Sequence, residues 1–387
     1  MPSVADVVNS PVEVPRGLKG VIVAETEVGD VRGAEGFYHY RQYSAVDLAV
    51  SRPLEDVWQL LVDGALPRTR AERAAFAAET SPLAVLPPGL AAALPLIAQA
   101  SPPLDGLRTA LSLAAAERGC RPVYDLDPAA RRADALFAAA VTPTILTALY
   151  RLRQGQQPLP PRADLGYAAN YLWMLTGEEP GAVYADAVKR YLVSTIDHGF
   201  NASTFTARVI ASTGADLGAC VTGAIGALSG PLHGGAPSRA LDLLDEIGSP
   251  GRARAVVTEK VTSGQRIMGF GHPVYVTDDP RSVMLREVAQ RLGGPLADLA
   301  VATEQTVVDV LAELKPGRHL YANVEFYAGV VMSQCGIPRD MFTPTFASSR
   351  VIGWTANILE QARDSKIIRP AARYTGPVPP QPVPPLE

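Results

Sequence analysis

From Leu54 onward, apolar residues return at helical intervals, as in Val57, Leu60 and Leu61 and again in Leu107 and Leu111, while prolines and glycines supply the interruptions. A chain patterned in this way hides its apolar stripes by packing helix on helix, so an all-α fold is expected. The Pro-rich stretches at residues 82–88, 102–103 and 158–161 fall between periodic segments and are expected to be interhelical turns. Strand chemistry is confined to the start. Residues 20–30 hold β-branched side chains and a Gly29-Asp30 turn signal, and the Tyr-rich residues 37–43 follow, which predicts one small N-terminal β-hairpin. Residues 210–228 are apolar at close to the helical period, with Ala and Gly between, and read as one buried helix. Ser212, Thr213, Asp216 and Thr222 within that run argue against a lipid-facing span. At 387 residues and 47% hydrophobic content, the chain exceeds the usual size of one core, and two domains are expected. Residues 377–385 are mostly proline and are expected to form an extended surface tail.

Charge and cysteine usage narrow the partners. A formal charge of −4 leaves no basic face for a nucleic-acid backbone or an anionic membrane, so any anion site must be local. Cys120, Cys220 and Cys335 are odd in number and lack both CxxC pairing and zinc-ligand spacing, which fits a reducing cytoplasm. The polar N-terminus, with Asp6, Glu13 and Pro15, has no export-signal pattern.

Three of the five histidines, His198, His233 and His272, each neighbour a glycine at an expected break between helices. A lone histidine is more often structural than catalytic; three in such loops point to a site. His233 lies in Gly230-Pro231-Leu232-His233-Gly234-Gly235, where the preceding helix ends and the glycines permit close approach. Near the start of the next helix its ring would stay neutral and could donate a hydrogen bond to a carbonyl. No second ligand stands at metal-binding spacing from it, so no metal is expected. His272 lies in Met268-Gly269-Phe270-Gly271-His272, a loop leading to a helix expected near Ser282. Asn323 is placed to cap an apolar helix that runs to Cys335. Glu325 in its first turn reads either as a dipole-complementing acid or as a general base. Arg281, Arg350 and Arg369 are unremarkable singly, but a small dicarboxylate needs several converging guanidinium groups.

Taken in order, these segments resemble the citrate synthase family. The motifs are Asp197-His198-Gly199-Phe200-Asn201-Ala202-Ser203, Gly230-Pro231-Leu232-His233-Gly234-Gly235-Ala236, Gly269-Phe270-Gly271-His272 with Asp279-Pro280-Arg281, Asn323-Val324-Glu325-Phe326-Tyr327, and Ser349-Arg350-Val351-Ile352-Gly353-Trp354 with Ile368-Arg369-Pro370. The resemblance covers the chain to about Gly376. It implies a two-domain helical fold with a large domain of residues 1–235 and 339–376. A small domain of residues 236–338 would close over the substrates, followed by the Pro-rich tail 377–387. It implies a homodimer in which Arg369 reaches the partner's site, with residues 210–228 at the interface, and no nucleic-acid or membrane partner. The implied activity is condensation of acetyl-CoA with oxaloacetate and hydrolysis of the citryl thioester. His233 would hold the thioester carbonyl, Glu325 would remove the α-proton and His272 would polarise the oxo acid. His198, Arg281, Arg350 and Arg369 would bind that acid, and Ile267, Met268, Gly269, Phe270 and Gly271 would receive the acyl-CoA. No permanent cofactor is implied.

Three positions depart from the family pattern. Glu325 stands where aspartate is usual, a change in reach by one methylene. Pro273 and Val276 replace basic residues that help bind CoA phosphates. Asn357 stands where histidine is frequent. A 2-methylcitrate synthase using propionyl-CoA would share every catalytic residue named and differ in the room beside the acyl methyl, where one methylene is worth only about 1 to 3 kcal/mol of discrimination, so activity with both donors is compatible with these residues. A catalytically weak regulatory homologue is the rival from another class.

Overall fold

The computed structural model describes residues 12–234, 236–272, 274–317 and 320–386. The N-terminal stretch on which the export reading rests, and the departure at Pro273, lie outside the described residues.

The N-terminal sheet has three antiparallel strands, β1 (Gly29–Arg32), β2 (Phe37–Tyr40) and β3 (Tyr43–Ser44), in the order β1-β2-β3. The hairpin sits later than expected. Gly29 is not a turn residue but the first residue of β1, where a Cβ would meet the His39 carbonyl oxygen at 2.3 Å. The turn falls instead at residues 33–36, with Gly36 at φ +60°. Tyr40 anchors the sheet by donating from its hydroxyl to the Val193 carbonyl at 2.8 Å.

Among the described residues, every regular element after the sheet is a helix, as the periodicity predicts. The interior is organised around α1 (Pro128–Arg153), buried along Ala135–Leu149. It is long and apolar enough to cross a membrane, but here it packs inside the molecule against the last long helix. α2 (Ala182–Thr195) ends at the loop carrying His198. Residues 210–228 do not form one helix. They divide between α3 (Ala202–Ala211) and α4 (Leu217–Leu228), which pack on each other. Gly214 at φ +82° turns the chain, and Asp216 caps α4 by accepting from Ala219 N at 3.0 Å.

Five helices follow: α5 (Ala236–Ile247), α6 (Pro250–Thr262), α7 (Pro280–Leu292), α8 (Pro295–Leu314) and α9 (Val324–Gln334), which pack against one another. Asp279 caps α7, which starts at Pro280, two residues before the expected Ser282, and Asn323 caps α9 as expected. α10 (Phe342–Gln361) returns to pack on α1, α2, α3 and α4. Its Gly353 touches the α2 terminus so closely that a Cβ would lie 2.0 Å from the Ile196 carbonyl oxygen.

Candidate active site

A cavity of about 720 Å³ opens where the end of α2, the turn after α4, the loop before α7 and the starts of α7 and α9 face α10. His198, His233, His272, Arg281, Glu325 and Arg350 all line it. Arg369 does not: it lies exposed on the segment after α10, away from its own chain's cavity.

His233 sits in the turn between α4 and α5, with Nε2 2.8 Å from Ser203 Oγ. Ser203 in turn receives the Trp354 indole N–H at 3.1 Å and stands 2.8 Å from Asn201 Oδ1. Its single proton is directed at Asn201 Oδ1 and can turn to His233 Nε2. When the hydroxyl donates to Nε2, the imidazole carries its own proton on Nδ1, the nitrogen that does not face Ser203. Burial, reinforced by the Arg350 charge, lowers the His233 pKa to about 4 and keeps the ring neutral.

The tautomer of His272 is fixed by backbone. Its Nδ1 accepts from the amides of Val274 at 3.0 Å and Tyr275 at 3.1 Å, so the proton of the neutral ring is on Nε2. Burial and Arg281 bring its pKa to about 4. The contact of 3.4 Å between His272 Nε2 and Arg281 Nη2 is thus an approach of two donors, a pair to which one ligand oxygen can bind. His198 stacks edge-on against His272 at 5.6 Å, with Nε2 3.0 Å from the Tyr275 hydroxyl. Burial, Arg281 and Arg350 hold it well below the usual imidazole range.

Arg281 is gripped by Asp279 through Nε at 2.9 Å and Nη2 at 2.8 Å, and Asp279 also accepts the amide of Val324 at 3.1 Å. This buried carboxylate therefore joins the Arg281 side of the cavity to the helix bearing Glu325. Arg350 is 2% exposed and donates from Nε to the Thr195 carbonyl at 2.8 Å, which aims a buried guanidinium at the cavity from α10. Glu325 is in the first turn of α9, with its amide held by Asn323 Oδ1 at 3.1 Å. It is a helix-start acid and also a cavity group. Burial raises its carboxyl to about 7 against the pull of Arg281.

Residues 267–271 run beside this carboxylate. The Gly271 amide donates to the Tyr321 carbonyl at 2.8 Å, the Asn323 amide to Gly269 at 2.9 Å, and Asn323 Nδ2 to Gly271 at 2.9 Å. Gly269, at φ +83°, has room for no Cβ, which would meet the Phe326 ring at 2.9 Å. Ile267, Met268, Gly269 and Phe270 line a second cavity of about 350 Å³, with Arg266 and Lys315; Arg266, Met268 and Asn323 border both spaces. Val276 is exposed.

Sequence reasoning missed Ser203, Tyr275, Arg266 and Lys315, because a serine, a tyrosine and single cations give no signal until folding brings them to the histidines and the loop. Asn357 acquires a consequence: it donates to Asp197 Oδ1 at 3.2 Å and accepts from Arg208 at 3.2 Å, tying α10 to the residue preceding His198.

Comparison with known proteins identifies the family. The family model described as citrate synthase, C-terminal domain, matches residues 17–371. A citrate synthase of Deinococcus radiodurans is 38% identical over 369 residues, covering 94% of this chain and 96% of that protein. A 2-methylcitrate synthase of Mycobacterium tuberculosis is 38% identical over 368 residues, covering 94% and 91%. The citrate synthase of Thermoplasma acidophilum, solved as a ternary complex with carboxymethyl coenzyme A and oxaloacetate, superposes with a TM-score of 0.88 at 28% identity, covering 96% of this chain and 98% of that one. With a family model spanning nearly the whole chain and relatives of this identity along its full length, the chain belongs to the citrate synthase family.

Proposed function

We propose that this cleft condenses acetyl-CoA with oxaloacetate and releases citrate and CoA. The observation that carries the reading is the convergence, on one cavity, of a carboxylate raised to about 7 with neutral imidazoles and guanidinium groups. Glu325 removes a proton from the acyl α-carbon, and His233 donates to the thioester oxygen as it gains enolate character. His272 Nε2–H polarises the oxo-acid carbonyl, while Arg281, Arg350 and His198 hold the acid. The new C–C bond joins the acyl α-carbon to the carbonyl carbon, and the former carbonyl oxygen takes up a proton to become the alcohol. Water then cleaves the thioester, adding hydroxyl to the acyl carbon and hydrogen to the CoA sulfur.

The loop 267–271 receives the acyl-CoA, and Arg266 and Lys315 supply phosphate-binding charge that Val276 does not. Residues 236–338 form the closing domain against residues 1–235 and 339–376. The active unit is a homodimer, with Arg369, exposed on its own chain, completing the partner's oxo-acid site. A reducing cytoplasm suits its three free thiols, each raised by burial to about 12.

The test is CoA release with oxaloacetate plus either acetyl-CoA or propionyl-CoA. Faster turnover of acetyl-CoA is expected. Preference for propionyl-CoA would make the chain a 2-methylcitrate synthase, and silence with both would overturn the enzymatic reading in favour of a regulatory homologue.

A further inference from the structure

The loop between Gly271 and Asp279 carries one side chain that the chemistry above leaves without a task. Tyr275 is 4% exposed. Its hydroxyl lies 3.0 Å from His198 Nε2, its amide donates to His272 Nδ1 at 3.1 Å, and its ring stands 5.8 Å from the Arg281 guanidinium. The Tyr38 ring flanks the same guanidinium, also at 5.8 Å. Tyr275 therefore touches three of the groups to which the oxo acid is assigned.

We propose that Tyr275 is a positioning residue for the oxo acid, its hydroxyl donating to His198 Nε2 and so fixing the ring and tautomer of that histidine. The direction of the bond follows from acidity: a phenol is the stronger proton donor and a neutral imidazole nitrogen the stronger acceptor. With Nε2 accepting, the His198 proton resides on Nδ1 and is available to a carboxylate. The bond also spans the cleft, from the loop before α7 to the loop after α2. The loop before α7 is itself pinned by the turn of the N-terminal sheet. The Val276 amide approaches the Gly33 carbonyl at 3.4 Å, and a Cβ on Gly33 would meet the Val274 carbonyl oxygen at 2.2 Å.

The inference rests on the reading of this cleft as an oxo-acid site. Tyr275→Phe keeps the ring and the amide and removes only the hydroxyl. It should raise the KM for oxaloacetate, and its dissociation constant by calorimetry, about tenfold, as expected for a buried nitrogen left unpaired. Its kcat at saturating oxaloacetate should stay within about twofold of the parent, with the acetyl-CoA KM unchanged, because the interaction serves binding rather than the transition state. In a His198→Ala background the same change should add nothing, since its only route is through that ring. Unchanged oxaloacetate affinity in Tyr275→Phe, or a tenfold effect that persists with His198→Ala, overturns the role of Tyr275 alone. A parent protein that neither turns over nor binds oxaloacetate overturns the underlying reading, and the inference with it.

Discussion

Burial raises the Glu325 carboxyl to about 7, while His233 and His272 are pushed down to about 4 and His198 is held well below the usual imidazole range, so among these cavity groups only Glu325 titrates near neutrality. The base must be ionised. The rate should therefore fall as pH drops through about 7, on a single limb, with no second limb from His233 or His272 until far more acidic conditions. Glu325→Gln should retain oxaloacetate binding and lose both condensation and exchange of the acetyl protons with solvent, by at least about a hundredfold. Near-parental turnover would return Glu325 to the role of a helix-start acid. The same group predicts an effect on stability. Because its folded pKa lies above the unfolded value, the native state holds more protons between about 4.5 and 7, and the protein loses stability as pH rises through that window. Glu325→Gln should therefore melt higher than the parent at pH 8, by an amount on the order of 2 kcal/mol, and no higher at pH 4.5. Equal melting curves at pH 8 would mean that the carboxylate is solvated. At this scale the reactive types were legible in the sequence, since histidines beside glycines mark loops where a ring can face a ligand. Ser203 was not: its importance lies in a hydroxyl 2.8 Å from a ring thirty positions away.

Helices show the same division between what is local and what is not. Their existence follows from the apolar period, and their starts from Asp216, Asp279 and Asn323, each of which accepts an amide of the first turn. Two boundaries escaped the period. The break between α3 and α4 lies in a run whose apolar spacing continues across it, and only Gly214 and the cap at Asp216 betray the turn. The hairpin turn competes between Gly29-Asp30 and residues 33–36, and tertiary contact decides for the second. Long-range contact also explains Gly353. Its missing side chain lets α10 approach the carbonyl at the end of α2, where Thr195 holds Arg350 and the chain turns into His198. Gly353→Ala should cost about 1 to 3 kcal/mol and weaken oxaloacetate binding, because the overpacking falls between two groups assigned to that ligand. Thermal melting and calorimetry together check this; a stable variant with parental affinity would show that the helices part without moving the site.

The molecule as a whole sets its cavity groups on helices and interhelical loops distant in sequence, so the cleft exists only once α2, α7, α9 and α10 have met. The exposed position of Arg369 raises the question of assembly. If each site borrows that arginine, mixing Arg369→Ala subunits with His233→Ala subunits should restore part of the activity, since one site of each heterodimer is then intact. Demonstrated subunit exchange without recovery would exclude a shared site. The sequence could suggest such sharing only through resemblance, because no periodicity or spacing encodes which chain an arginine serves. One backbone feature bears on how such proteins diverge. Residues 269–271 and 321–323 are laced together by amide and side-chain hydrogen bonds, so the segment proposed to face the acyl donor and the segment leading to Glu325 form one ribbon. A shorter acid grafted alone at Glu325 inherits a ribbon fitted to the longer one. Exchanging both segments as a single cassette carries reach and footing together, which makes the pair, rather than the residue, the unit in which this half of the site can be swapped between relatives.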